Sequence, residues 1–164
     1  MTTPRIESNE IPVACTPGVF SAEERQAQLA LNVEVLVRLP VSRQELPDGF
    51  LFRYEGDEEL FLKLARYAAN EHRCCPWASF GIAMESFVKG QGGKIELRLT
   101  AGAEGKAFLD AGMKHWIAAL EDVADDPAAL AQVAKTVGGI ERITVDNLRN
   151  RKKGFWEKLK SCGC

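Results

Sequence analysis

Apolar residues along this chain recur at helical spacing in some stretches and alternate with polar ones in others. After Ser21, a residue suited to cap a helix, "AEERQAQLALNVEVLV" opens with acidic residues and turns apolar, predicting a helix from Ala22 to about Val37. A Pro-Asp-Gly turn then leads into Phe50, Phe52 and Tyr54, which alternate with Leu51 and Arg53 and predict a strand over Gly49 to Glu55. Asp57 is placed to cap a second helix whose Leu60, Leu64 and Ala68 share one face, flanked by Phe61 and Tyr67. Pro76 disfavours helical geometry at Cys75, so this helix should end at or just before the adjacent cysteines Cys74 and Cys75.

Beyond them, "SFGIAMESFVKGQGGKIELRLTAG" reads as a hairpin around Gly90 to Gly93, with Ile95, Leu97 and Leu99 on one face of its second strand. "AEGKAFLDAGMKHWIAAL" follows as an amphipathic helix through Phe108, Leu109, Met113, Trp116, Ile117 and Leu120. The resulting order, α-β-α-β-β-α, predicts an α+β fold in which a small antiparallel sheet packs against helices. Leu60, Leu64, Ala68, Phe80, Ile82, Ile95, Leu97, Leu99, Phe108 and Trp116 are its expected core.

The acidic run "EDVADD" suggests a boundary, dividing an α+β domain at residues 11–120 from a helical, partly mobile C-terminal extension at 121–164. Asp126-Pro127 opens a helix in that extension and Gly138-Gly139 stops it. The extension ends in a basic stretch with interleaved Phe155, Trp156 and Leu159, and then in Cys-Gly-Cys.

Composition narrows the function classes. A formal charge of −2 gives no overall pull toward nucleic acid or an anionic membrane, so neither is an expected partner. The N-terminal stretch lacks the apolar core of a signal peptide, and no segment approaches the roughly 20 apolar residues of a membrane span. A soluble, cytoplasmic protein is expected. In that reducing compartment the five cysteines, Cys15, Cys74, Cys75, Cys162 and Cys164, are expected as free thiols, metal ligands or redox groups rather than as a disulfide framework.

The string from "LPDGFLFRYEG" through "NEHRCCPWASF" to "IELRLTAGAEGKAFL" resembles a group of small, largely uncharacterised bacterial proteins. They carry an E-R-x-C-C-P-F-like signature after such a strand and helix, and a further cysteine before an E-E-R helix, as Cys15 stands before "AEERQAQ". The likeness covers roughly Ile11 to Leu109, with His72 where the group has arginine and Trp77 where it has phenylalanine. It implies the α+β fold and a cysteine site, and no particular reaction.

The residues themselves point to thiol chemistry, because a thiolate is both nucleophile and soft-metal ligand. Arg73 and His72 would lower a neighbouring thiol pKa while the negative helix C-terminus would raise it, leaving the sign open. Adjacent cysteines are poor disulfide partners for each other, but both can turn toward a third group, so Cys15, Cys74 and Cys75 form a candidate three-thiolate site. Cys162 and Cys164, on a terminal C-x-C, can act as a delivery pair. Trp77 and Phe80 either wall the thiols or simply pack, and Glu71 and His72 are candidate neighbours, although residues of these types at a helix end are more commonly just solvated.

Three classes stay open. The first is binding or transfer of a soft metal or metalloid, such as zinc, copper, mercury or arsenite, with a metal ion or a small thiol as partner and no organic cofactor. The second is a thiol-disulfide oxidoreductase. The third is an interaction domain whose cysteines only pack. No Ser-His-Asp set, nucleotide loop or carboxylate pair supports conventional catalysis.

Overall fold

The computed structural model describes residues 12–150 together with Trp156 and Leu159. Its elements are β1 (Ala14–Cys15), a 3-10 turn (Pro17–Val19), α1 (Ala22–Asn32) running into a π-helical turn (Val33–Arg38), β2 (Ser42–Leu46), β3 (Gly49–Gly56), α2 (Glu58–Cys74), β4 (Ser79–Val88), β5 (Gly92–Thr100), α3 (Ala103–Val123), α4 (Pro127–Gly138), β6 (Ile143–Thr144) and α5 (Val145–Arg149). The class is α+β, as the hydrophobic pattern requires.

The expected helices start where their caps place them. Ser21 accepts from the Glu24 N–H at 3.1 Å while the Glu24 carboxylate accepts from the Ser21 N–H at 2.8 Å, a reciprocal capping box. Asp57 accepts from the Leu60 N–H and Asp126 from those of Ala128 and Ala129. The first helix keeps its helical path past Asn32 but widens there, the Leu39 N–H donating to the Glu34 carbonyl five residues back. The wider turn also presents the Val35 carbonyl to the Tyr54 hydroxyl at 2.9 Å, which satisfies a phenol buried in the core.

Four antiparallel strands form the main sheet in the order β2-β3-β5-β4. The register sets Phe50 opposite Leu99, Phe52 opposite Leu97 and Tyr54 opposite Ile95, so one face carries a continuous buried row. Strand β2 was not among the expected elements. It is an exposed edge strand, Ser42 to Leu46, with no apolar alternation to reveal it. Gly49 opens β3 just after the turn from β2, where a Cβ would lie 1.8 Å from the Leu99 carbonyl oxygen, so only glycine permits that approach.

Of the expected core, Leu64, Ile95, Leu97, Leu99 and Phe108 are buried, and Leu60, Phe80, Ile82 and Trp116 are partly buried against them. Ala68 is half-buried. Helix α4 packs against α1, and β6 pairs antiparallel with β1, with Cys15 opposite Ile143. Residues beyond 120 therefore hold the segment that carries Cys15. Among the described residues no helix is long and apolar enough to cross a membrane.

Candidate thiol site

The periodicity of α2 puts Tyr67, Glu71 and Cys74 on its inner face, and Pro76 ends the helix, leaving Cys75 as its C-cap. Chain entering from β1 crosses this exit. The Thr16 N–H and hydroxyl both donate to the Cys74 carbonyl, at 3.1 and 3.4 Å, one of the helix-end acceptors that need a partner. Trp77 donates its indole N–H to the Ala14 carbonyl at 3.0 Å from the other side. These contacts and the β1–β6 pairing bring Cys15 to the cysteine pair.

The Sγ atoms of Cys15, Cys74 and Cys75 lie within 4.8 Å of one another, and all three residues are buried. The cysteines were expected as free thiols, metal ligands or redox groups rather than as a disulfide framework, and two of the three are joined to each other. Cys15 and Cys75 form a disulfide, their Cα atoms 4.8 Å apart, within the range such a bond needs. The crossing of β1 over the helix exit supplies this distance, which neighbouring residues cannot. Cys74 is the free thiol among the described residues. Cys162 and Cys164 lie outside the described residues.

Electrostatics resolves the sign that the sequence left open. Burial, and then the nearby Glu71, push the Cys74 thiol up to about 12, with only the Thr16 N–H favouring the thiolate. Arg73 does not help it. Its guanidinium pairs with Glu24 at 3.2 Å, donates to the Val19 carbonyl and lies 4.7 Å over the Phe20 ring. His72 is exposed, with Nδ1 3.2 Å from the Ala78 carbonyl oxygen. Both basic residues are thus engaged away from the thiols.

Behind the sulfurs lies a cavity of about 170 Å³, lined by all three cysteines and mainly by apolar side chains such as Leu29, Leu36, Phe108 and Met113. Trp77 walls one end, its ring 4.8 Å from that of Phe108. Gly105 makes room for it, because a Cβ there would lie 2.8 Å from the indole. Phe80, the other aromatic expected near the thiols, lines the cavity too and meets Tyr67 edge to face at 6.2 Å.

One polar cluster interrupts this lining. The Gln28 amide donates to Glu71 Oε1 at 2.6 Å, the Asn70 amide donates to Gln28 Oε1 at 2.8 Å, and Asn32 also hydrogen-bonds Glu71. Glu71 lines the cavity and is surrounded by protein. Its burial raises the carboxyl above the ordinary glutamate range against the pull of those two amides. Gln28 and Asn32 were not among the expected site residues. Their signal was two amides four apart on the stripe that runs from α1 into the π-helical turn and also carries Leu29, Val33 and Leu36. His115, on α3, meets the Trp156 ring at 5.4 Å.

Comparison with protein-family models, with curated proteins and with solved structures returned no match for this chain.

Proposed function

We propose that the reduced chain binds a thiophilic metal or metalloid through Cys15, Cys74 and Cys75, and that the Cys15–Cys75 disulfide is the oxidised form of the same site. The observation that carries this reading is the convergence of three sulfurs, from two distant parts of the chain, within 4.8 Å. A soft ion held at about 2.3 Å by three thiolates sets its sulfurs about 4 Å apart, a spacing that Cys15 and Cys75 can adopt once the bond between them is opened. In a cytoplasmic setting a small thiol opens the disulfide by exchange. It forms one new disulfide with a second small-thiol molecule and leaves Cys15 and Cys75 as thiols.

Charge favours one class of ion. An apolar wall penalises net charge. Arsenous acid exchanges its three hydroxyls for the sulfurs of three thiols, each thiol proton leaving with one hydroxyl as water, so the filled site is neutral. Mercury(II) on two thiolates is neutral as well. Zinc on three thiolates keeps a negative charge and calls for a fourth ligand, and among the described residues the group holds only the three cysteines. Among inorganic ions, arsenite is the one that engages all three cysteines without leaving a net charge.

The disulfide itself supports a second reading, a dithiol-disulfide oxidoreductase cycling Cys15 and Cys75. Cys74 is poorly suited to attack in such a cycle, since burial holds it as the thiol. Titrating the reduced Cys162→Ser, Cys164→Ser chain with arsenite while counting free thiols separates the two. Loss of all three thiols per bound arsenic supports binding, and an undiminished thiol count leaves the redox cycle.

A further inference from the structure

The cavity behind the sulfurs has no role in holding a bare ion. It adds about 170 Å³ of apolar space whose wall includes the thiols themselves. A cavity of about 150 Å³ lined by leucine, isoleucine and phenylalanine is large enough to hold benzene. Here the lining is mostly of the same kind, with Leu29, Leu36, Phe108, Met113 and Ala134 in it, and Gln28, Asn32 and Glu71 form its one polar cluster. Resting on the metalloid reading above, we infer that the preferred ligand is an organic arsenical carrying one aromatic ring, with arsenic on Cys15 and Cys75 and the ring in this cavity.

The chemistry balances without any other reactant. An aryl arsonous acid has two hydroxyls on trivalent arsenic. Each thiol of reduced Cys15 and Cys75 displaces one hydroxyl, its proton leaving with that oxygen as water. Two arsenic–sulfur bonds replace two arsenic–oxygen bonds, and no electrons are transferred. The carbon–arsenic bond occupies the position that the third thiolate would take on inorganic arsenic, so Cys74 stays a thiol. The adduct is uncharged throughout, as the apolar wall requires.

The test compares phenylarsonous with methylarsonous acid on the reduced Cys162→Ser, Cys164→Ser chain, each in competition with dithiothreitol. Both ligands use two thiols, so the intrinsic preference of arsenic for a dithiol cancels in the ratio. The expected ratio favours phenyl by roughly 10- to 100-fold over dithiothreitol, the range that burying one ring supplies. An Ala134→Phe variant, which fills the cavity, should lose that preference while still binding methylarsonous acid, and Ala134→Leu should lose part of it. Binding of both ligands at the dithiothreitol ratio would overturn the inference and leave the thiol site standing. Binding of neither would instead overturn the site itself.

Discussion

Thr16 donates both its N–H and its hydroxyl to the carbonyl of Cys74, fastening β1 across the end of α2 independently of any sulfur–sulfur bond. Cys15 therefore stays beside Cys74 and Cys75 when the disulfide opens. Reduction should leave the fold intact but lower its stability by up to about 4 kcal/mol, the chain-entropy contribution of a bridge spanning 60 residues. Denaturant melts with and without reductant measure that loss. Continued protection of the Thr16 amide from hydrogen exchange in the reduced protein checks that the crossing persists.

Cys74 should be sluggish toward alkylating agents. With Cys15 and Cys75 bonded and the terminal pair changed to serine, it is the remaining thiol. Raised from 9.0 to about 12, it exposes little thiolate at pH 8. Iodoacetamide should modify it on the order of a hundredfold or more slowly than a free cysteine. Mass spectrometry over time reads the rate directly.

Glu71 makes stability fall with rising pH. Its folded pKa lies above 4.5, so the unfolded chain releases its proton first, and ionising Glu71 in the folded state then meets the burial cost. The loss begins near pH 4.5 and is complete above the raised folded value. Glu71→Gln keeps an acceptor for the Gln28 amide and should flatten this part of the stability profile. An unchanged slope in the variant would show that another group is responsible.

Two substitutions weigh the supports of the site. Leu64 is fully buried between α2 and the sheet, and Leu64→Ala should cost about 2 to 5 kcal/mol. Trp77→Phe removes the donor to the buried Ala14 carbonyl and should cost about 1 to 3 kcal/mol. The tryptophan change should also weaken arsenite binding, since it loosens the wall that carries Cys15, whereas Leu64→Ala should spare binding in the fraction that stays folded.

Much of this architecture was legible in the chain. Caps at Ser21, Asp57 and Asp126 and the alternation of Ile95, Leu97 and Leu99 mark their elements because local hydrogen bonds and one-sided burial leave their mark on residue choice. Strand β2 leaves no such mark, since its side chains are mostly exposed and its backbone pairing with β3 carries no side-chain code. The three-cysteine set was readable from residue chemistry, but not the bond inside it. That bond depends on β1 crossing α2 and pairing with β6, a contact between segments more than a hundred residues apart. The polar cluster at Glu71 was half-visible, because its amides sit on an otherwise apolar helical face where only tertiary packing gives them a partner.

The most direct measurement is the arsenic coordination number, by X-ray absorption on the reduced Cys162→Ser, Cys164→Ser chain loaded with arsenite. Three sulfur neighbours per arsenic, falling to two plus an oxygen in a further Cys74→Ser variant, is the result expected of a site built from Cys15, Cys74 and Cys75. Arsenic that keeps its oxygens, or three sulfurs that survive the loss of Cys74, would contradict it.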